Sequence, residues 1–365
     1  MRGGAKLVLD RPYPPMPMPL RRTINVQPPV ASMTLHAIGV DIGATNLKLA
    51  LVDASGAVHA RATSATPKDS DPKVVVSGII AATTAFWREA QASGFDVAGF
   101  GFGIPHFHEG RDWEQQQTNN MPSLEGFPMR PPLVEAFGTS IAMANDVSAA
   151  GIAEHMFGRG RGIERMMMVA IGTGVGTSLI TREQGLVHFS WDSIGDAGMI
   201  IVDPQGEADC TCGGRGCLEA LVSGPAIRQR ALREIEKGRP TSLVDVQRAR
   251  GDIEAGDVSE AARAGDPVAL GLMQETGFYL GVAFASYLHI FRPNLIVLGG
   301  GVAQAGDLLI DPARQALARL ASPWYLRRLE AIEVAALGKE AAAIGCASLI
   351  LHPGVYLRAE GDPQL

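Results

Sequence analysis

The sequence predicts an α/β protein with two halves, and three observations support this fold class. The chain has 365 residues, which exceeds the size at which one hydrophobic core usually stops growing. Short apolar runs that fit buried strands alternate with longer stretches that have helical spacing. A strand–turn–strand pattern with a Gly-rich turn occurs twice, at 37–53 and at 166–180. We therefore expect one globular body built from two related halves.

The composition excludes several other classes of protein. With 46% hydrophobic and 19% charged residues, the chain is too apolar to be disordered as a whole. A formal net charge of −6 without a basic run argues against an electrostatic nucleic-acid binder. Four Cys residues are too few for a disulfide framework. The chain has neither a run of 18 apolar residues nor a signal-peptide pattern, so we expect a cytoplasmic location and no membrane association.

The first half of the chain is predicted to begin after a Pro-rich extension. Residues 1–33 hold seven Pro and lack helical or strand periodicity, so we expect them to be disordered. The elements expected next are a hairpin at 37–53, a third strand after residue 56, a helix at 74–93, a buried strand at 97–105 and a long loop at 106–132. Long loops within compact domains are often functional.

The second half repeats the alternation of strands and helices. The expected elements are a strand at 140–147, a helix at 148–158, the strand–turn–strand at 166–180, helical residues at 223–237 and 257–291, a buried strand at 294–301 and a last helix from near residue 340. The most apolar segment, 278–291, is too short to span a membrane and predicts a buried helix. Cys346 lies in an apolar run, which indicates a core cysteine.

Three Gly-rich turns that follow strands are the first chemical signal. They read D-I-G-A-T-N at 41–46, G-T-G-V-G-T at 172–177 and G-G-G at 299–301. Gly lets backbone N–H groups approach a phosphate, and Thr adds a hydroxyl donor. Asp41, at the end of a strand, could hold hydrated Mg²⁺. Each turn alone is also compatible with an ordinary tight hairpin, whereas P-loop and dinucleotide-binding fingerprints are absent from the sequence.

Five motifs in collinear order resemble the ROK family (repressors, open reading frames and sugar kinases) of the actin-like ATPase superfamily. The motifs are V-D-I-G-A-T-N-L-K, A-N-D-V-S-A-A, A-I-G-T-G-V-G, C-T-C-G-G-R-G-C-L-E and I-V-L-G-G-G-V. The resemblance covers roughly residues 37–351. It implies a two-domain actin-like (ribonuclease H-like) fold, with mixed sheets flanked by helices and an active-site cleft between two lobes. The implied small lobe is 36–143 plus 341–356, and the implied large lobe is 144–340.

The resemblance also implies roles for individual residues. Asp146 matches the catalytic base, which takes a proton from a sugar hydroxyl while that oxygen attacks the γ-phosphate of ATP. The matches to sugar-contacting positions are Asn120, Asn145, Asp196 and Glu219. The matches to nucleotide-binding positions are Asp41, Gly43 and Thr45 in the first phosphate loop, Gly172, Thr173 and Gly174 in the second, and Gly300 and Gly301 at the adenosine.

Two of these matches have a plain structural alternative. An Asn-Asp pair such as Asn145–Asp146 is also typical of a helix N-cap or a turn, and helix-start chemistry can coexist with catalysis. Glu219 could instead be a surface residue of a helix, which is the usual fate of Glu.

The zinc segment departs from the family pattern. Cys210, Cys212 and Cys217 match three zinc ligands, but Met199 stands where relatives have a His that ligates zinc and contacts the sugar. Met is a poor partner for Zn²⁺, and structural zinc sites need four N or S ligands. Three interpretations stay open: zinc with an unexpected fourth ligand, weakly bound zinc, or a metal-free knuckle. Asp196 replaces the family Glu and shortens the carboxylate by one methylene.

The leading functional hypothesis is a glucokinase-like hexose kinase that uses ATP and Mg²⁺, with Asp146 as general base. The alternative is a non-catalytic sugar sensor or a degenerate kinase of the same family. Only 36 residues precede the first phosphate motif, which we expect to leave no room for a DNA-binding domain. The G-G-G motif argues against polyphosphate as the phosphoryl donor. The expected partners are a sugar and further copies of the chain, in a homodimer or homotetramer.

Overall fold

The computed structural model describes residues 35–105, 107–109, 112–116, 121–138, 140–187, 196–206 and 208–356. The predicted disorder of residues 1–33 and the predicted sugar contact Asn120 lie outside these residues.

The strands are β1 His36–Ile42, β2 Asn46–Asp53, β3 Val58–Ala65, β4 Val97–Ile104, β5 Phe107–Glu109, β6 Glu114–Gln116, β7 Ile141–Asn145, β8 Arg165–Ile171, β9 Val175–Thr181, β10 Gly185–Val187, β11 Leu295–Gly299 and β12 Ala331–Val334. The helices are α1 Pro72–Ala92, α2 Arg130–Phe137, α3 Asp146–Phe157, α4 Leu218–Val222, α5 Gly224–Glu236, α6 Leu243–Arg250, α7 Ala255–Arg263, α8 Pro267–Ile290, α9 Asp307–Leu320, α10 Pro323–Leu326, α11 Ala341–Leu351 and α12 Pro353–Tyr356.

The first five-stranded sheet has the order β3-β2-β1-β4-β7. The predicted hairpin is confirmed, because β1 pairs antiparallel with β2 and β2 pairs antiparallel with β3. β1 also pairs parallel with β4, and β4 pairs parallel with β7, so the sheet is mixed. Every residue of β1 is buried, since alternate side chains pack against α1 on one face and α11 on the other.

The second five-stranded sheet has the order β10-β9-β8-β11-β12 and is built in a related way. β8 and β9 form the second predicted hairpin, and β11 joins β8 and β12 in parallel. Met167 and Val169 of β8 face the large helical core that includes α8 and α9, whereas Met166 and Met168 face the cluster that includes α3 and α11. The alternation along β8 therefore places helices on both faces of this sheet.

Helices α3 and α11 link the two sheets through close backbone contact. α11 contacts α3, β1 and β4, and α3 also contacts β8 and β9. The approach depends on small side chains, because a Cβ atom on Gly345 of α11 would overlap the carbonyl oxygen of Ala149 in α3. This contact fixes the start of α3, where Asp146 lies, relative to both sheets.

Helix α8 is the one described helix that is long and apolar enough to cross a membrane by length and composition. In the structure, 56% of its apolar window is buried, and the helix packs mainly against α9. The prediction that segment 278–291 belongs to a buried core helix is therefore confirmed. Cys346, which lies in α11, is fully buried, as predicted.

Two sequence-based expectations need correction. The predicted helical stretch 257–291 is broken, because Gly265 has a φ of 89° and the Asp266 side chain caps α8 by accepting from the N–H groups of Val268 and Ala269. The predicted loop 106–132 contains β5 and β6, and α2 begins in it at Arg130. Pro residues in the first turn of α2 are compatible with a helix start, although they favoured a loop in the sequence.

Candidate active site

A cavity of about 800 Å³ collects residues from the ends of both sheets. Its lining includes Asp41 from β1, Asp146 from α3 and the turn Gly299–Gly301 after β11. Parallel strands that end at the same edge of a sheet bring their following turns together, which explains why residues far apart in sequence meet here. Three groups of predicted site residues therefore share one cavity.

Asp146 lies where β7 ends and α3 begins. Asn145 is the N-cap of α3, because its side-chain oxygen accepts hydrogen bonds from the backbone N–H groups of Val147 at 2.9 Å and Ser148 at 3.3 Å. The N-cap interpretation of the Asn-Asp pair is therefore confirmed, and it leaves the Asp146 carboxylate facing the cavity. The helix N-terminus places partial positive charge beside this carboxylate.

The pKa of Asp146 is raised to about 6. Burial disfavours the charged carboxylate and is the larger cause, and the negative charge of Asp41 adds to it. The backbone N–H of Val147, which donates to Asp146 Oδ1 at 2.8 Å, and the positive charge of Lys48 both act in the opposite direction. A carboxylate with a pKa near neutrality is suited to accept a proton and release it again.

If Asp146 acts as a base in a reaction catalysed in this cavity, we expect the activity to fall as the pH drops through about 6. Because the pKa of Asp146 is raised, its base form is lost well above the usual range for Asp, and kcat/KM should decline about tenfold per pH unit below it. A pH–rate profile that stays flat from about pH 7 to pH 5 would contradict this expectation. Asp196 is a second carboxyl whose pKa is raised to about 6. The pH profile of Asp196→Asn would therefore report the titration of Asp146 without that of Asp196.

Lys48 is a cavity residue that the sequence analysis missed. It lies opposite Asp41 in the β1–β2 register, and its Nζ donates to Asp41 Oδ2 at 2.7 Å. The Lys48 side chain is 38% exposed, whereas that of Asp41 is 8% exposed. The hairpin spacing was the available signal, since residues paired across a two-stranded ribbon face the same side. The ammonium group of Lys48 places a positive charge close to the carboxylates of Asp41 and Asp146.

The first predicted phosphate turn is held by Thr66. The Thr66 hydroxyl donates to the carbonyl of Gly43 at 2.5 Å, and the Thr66 backbone N–H donates to the carbonyl of Thr45 at 2.9 Å. The N–H of Gly43 donates to the carbonyl of Asn46 at 3.1 Å, which closes the turn. The backbone of this turn is therefore fixed before any ligand binds.

The second predicted phosphate turn is fastened to Glu219. The turn comprises Gly172, Thr173 and Gly174, and the N–H of Val175 after it donates to Glu219 Oε2 at 2.8 Å. Glu219 Oε1 accepts from the hydroxyl of Thr211 at 2.9 Å. Glu219 lies in helix α4, as the structural alternative expected, but it is half-buried and both of its oxygens are hydrogen-bonded, so it is not a plain surface residue.

Asp196 and Glu219 lie close enough to interact electrostatically. The pKa of Asp196 is raised to about 6, mainly by burial and also by the negative charge of Glu219. Carboxylate oxygens have two lone pairs each, so both side chains are suited to accept hydrogen bonds from hydroxyl groups of a neutral ligand. The structure thus brings together two of the four residues predicted to contact sugar.

The turn at the end of β11 requires glycine. Gly300 has a φ of 82°, and a Cβ atom there would overlap the carbonyl oxygen of Ile171. Gly301 has no atom within 4 Å of an added Cβ, so the space beside it is open to the cavity. A narrow backbone turn beside open space leaves room for a flat ligand group.

The three predicted zinc ligands form a cluster. The Sγ atoms of Cys210, Cys212 and Cys217 all lie within 4.8 Å of one another. Met199, which stands where the family has His, places its Sδ 3.7 Å from Cys210 Sγ. The three thiols are grouped like metal ligands, but the neighbouring fourth donor is a thioether, which does not fit the usual structural zinc site.

Comparison with known proteins places these features in context. The model of the ROK family matches residues 37–352. The glucokinase of Thermotoga maritima is 31% identical over 87% of this chain and 97% of its own length.

Solved structures with the same fold include both an enzyme and a regulator. A ROK family glucokinase from Streptomyces griseus, in complex with glucose and AMPPNP, superposes with a TM-score of 0.70 at 29% identity, over 86% of this chain and 98% of that one. A ROK family transcriptional regulator, a homologue of the E. coli MLC protein, superposes with a TM-score of 0.79 at 26% identity, over 88% of this chain and 80% of that one.

Proposed function

The chain belongs to the ROK family, and from that premise we propose that it is an ATP-dependent sugar kinase. The observation that carries this proposal is the shared cavity of Asp146, Asp41 and the turn Gly299–Gly301. The likeness to glucokinases, one of them solved with glucose and AMPPNP, supports a hexose as acceptor and ATP as donor.

In the proposed mechanism Asp146 is the general base. It would accept the proton of a sugar hydroxyl while the hydroxyl oxygen attacks the γ-phosphate of ATP, and ADP would leave. Phosphoryl transfer depends more on positioning and charge stabilisation than on a strong base, so a carboxylate with a pKa of about 6 is adequate. Asn145, through its capping bonds, positions Asp146 at the start of α3.

The other predicted site residues, of which Gly300 and Gly301 line the cavity, would bind the two substrates. We assign the turns at Gly43–Thr45 and Gly172–Gly174 to the phosphates of ATP, and Gly300–Gly301 to its adenosine. Asp196 and Glu219 would accept hydrogen bonds from sugar hydroxyls, and Asn120 would contribute from a segment outside the described residues. We further propose that 36–143 with 341–356, and 144–340, are the two lobes that close around the substrates and exclude water.

The carboxylate of Asp41 fits a hydrated Mg²⁺ ion. Mg²⁺ is usually held by one or two carboxylates plus substrate phosphates and keeps several of its waters. Asp41 lines the cavity and lies two residues before Gly43 of the first proposed phosphate turn. When bound, Mg²⁺ would neutralise phosphate charge.

We expect Lys48→Met to slow the reaction and to move the acidic limb of its pH profile upward. Lys48 favours the charged form of Asp146, so losing the ammonium group raises the pKa of that carboxyl further. Lys48→Arg keeps the charge and should restore most of the rate. Lys73→Met removes an exposed charge in α1 and is the matched control. A Lys48→Met profile that coincides with that of the parent protein would show that this charge is not part of the site.

A second function, a sugar sensor without turnover, is favoured by the likeness to a ROK transcriptional regulator. The two functions can be distinguished by measuring ADP release after purified protein is mixed with ATP, Mg²⁺ and each member of a panel of hexoses, amino sugars and polyols. A kinase releases ADP with at least one of them, above the rate without sugar. Sugar binding without ADP release from any of them would establish the sensor and refute the kinase.

A further inference from the structure

Four sulfur atoms converge beside α4, in what we call the sulfur cluster: Met199, Cys210, Cys212 and Cys217. The three thiols lie within 4.8 Å of one another, and all of them are free. Met199 Sδ lies 3.7 Å from Cys210 Sγ. Around them, Cys210 and Gly214 form a tight turn through the bond from the Cys210 N–H to the Gly214 carbonyl at 2.9 Å. Three clustered thiols and a thioether in contact with one of them therefore offer four sulfur donors.

Backbone contacts hold Met199 in this position. Met199 ends a short 3-10 turn, Ala197–Met199, whose Ala197 carbonyl accepts from the hydroxyl of the buried Tyr287 at 2.6 Å. The next residues are fastened to the cysteine segment, because the N–H of Leu218 donates to the carbonyl of Ile200 at 2.9 Å and Ile201 pairs with Cys217. The backbone on both sides of Met199 is thus held by the fold beside the cysteine segment.

The distance between Met199 and Cys210 matches the spacing of two ligands on one metal ion. A tetrahedral site with metal–sulfur bonds of about 2.3 Å has sulfur atoms about 3.8 Å apart. The distance of 3.7 Å between Met199 Sδ and Cys210 Sγ agrees with one edge of such a tetrahedron. The backbone N–H of Gly214 also points at Cys212 Sγ at 3.4 Å, which is the kind of contact that supports a metal-bound thiolate.

We propose that Met199 is the fourth ligand of an all-sulfur metal site, and that this site takes a thiophilic cation such as Cu⁺ or Cd²⁺ rather than Zn²⁺. Thiolate and thioether ligands together form a soft donor set, and softness, geometry and metal supply decide which ion a site holds. An imidazole in place of the thioether would give the Cys₃His set that is typical of structural zinc. Met199 therefore sets the ion preference of this chain.

The site adjoins the proposed sugar pocket. Thr211 lies between two of the cysteines, and its hydroxyl donates to Glu219 Oε1. An ion that fixes Cys210 and Cys212 also fixes Thr211 and, through it, one oxygen of Glu219. Metal binding can nevertheless be measured without any turnover, so the test does not depend on the proposed kinase activity.

The first experiment observes Met199 directly. Reduced, metal-free protein labelled with ¹³C in its methionine methyl groups is titrated with Cd²⁺ and followed by NMR. The Met199 signal, assigned by its absence in Met199→Leu, should shift and saturate at one equivalent, while signals of distant methionines stay in place. Met156→Leu, a half-buried methionine of another cluster, is the matched control. A Met199 signal unmoved at one equivalent, or no Cd²⁺ binding, overturns the proposal.

The second experiment measures the preference for Cd²⁺ over Zn²⁺ by competition with a chelator. Met199→Leu should weaken Cd²⁺ binding by at least roughly tenfold, since even losing a group that orients a ligand costs roughly 10–100-fold. Met199→His should shift the preference towards Zn²⁺ by a similar factor, and circular dichroism would verify that both variants fold. Met199→Leu protein that binds Cd²⁺ as tightly as the parent protein would overturn the proposal.

Discussion

Asp146→Asn is expected to lower kcat by roughly 10²–10⁴-fold while sugar binding remains measurable. The amide keeps the shape of the side chain but cannot accept the proton of the sugar hydroxyl. The substitution also removes a carboxylate whose pKa the folded protein raises, so the charge destabilises the native state at neutral pH. The melting temperature of Asp146→Asn should therefore equal or exceed that of the parent protein, which separates lost catalysis from lost folding.

The control for this substitution is Asp245→Asn. Asp245 lies on α6 with its side chain 83% exposed, and it forms a long ion pair of 3.5 Å with Arg248 on the same helix. Its replacement should leave kcat and the free energy of unfolding nearly unchanged, as is usual for an exposed surface residue. Calorimetric sugar binding and steady-state rates would be compared for both variants. An Asp146→Asn protein with near-normal kcat would remove Asp146 from the role of base.

Gly345→Ala is expected to destabilise the fold by about 2–3 kcal/mol or more. Gly345 lies in α11 where the helix crosses α3, and an added Cβ would overlap the carbonyl oxygen and carbon of Ala149. Backbone atoms cannot rotate away as a side chain can, so the two helices must separate. The gain in helix propensity, about 1 kcal/mol for replacing Gly with Ala, is too small to compensate.

Gly271→Ala is the matched control for the helix-propensity effect. Gly271 is an exposed residue of α8, and an added Cβ would meet no atom within 4 Å. This variant should be unchanged or slightly more stable, by up to about 1 kcal/mol. Urea unfolding of both variants would compare their midpoints. Equal midpoints for Gly345→Ala and the parent protein would contradict the close packing of α3 against α11.

The positions of the three Gly-rich turns were predictable because each follows an apolar strand and is marked by Gly. The same local signals identified both hairpins and the cap at Asn145. The pair of Lys48 and Asp41 was missed because its partners meet only through the register of β1 and β2. Contacts set by register depend on the whole sheet, and a single motif does not contain them.

The failures in the helical regions have similar causes. The break at Gly265 was overlooked because the apolar spacing continues across it, while the Asp266 cap and the positive φ decide where the chain turns. Helix α2 has a pair of Pro residues in its first turn, and in the sequence these residues favoured the prediction of a loop. The sequence motif indicated that Met199 takes the position of a ligand, but it could not give the distance from Met199 to Cys210. That distance depends on the turn Ala197–Met199, which the Tyr287 hydroxyl holds through the Ala197 carbonyl.

The most direct test of the central claim is to follow phosphoryl transfer by ³¹P NMR, with ATP, Mg²⁺ and glucose first and the other sugars after it. If the chain is a sugar kinase, the γ-phosphate signal of ATP disappears while a sugar phosphate ester and ADP appear in equal amounts. The Asp146→Asn variant should leave the ATP signal intact over the same time. Inorganic phosphate as the sole new product, or unchanged ATP with every sugar, would contradict the claim.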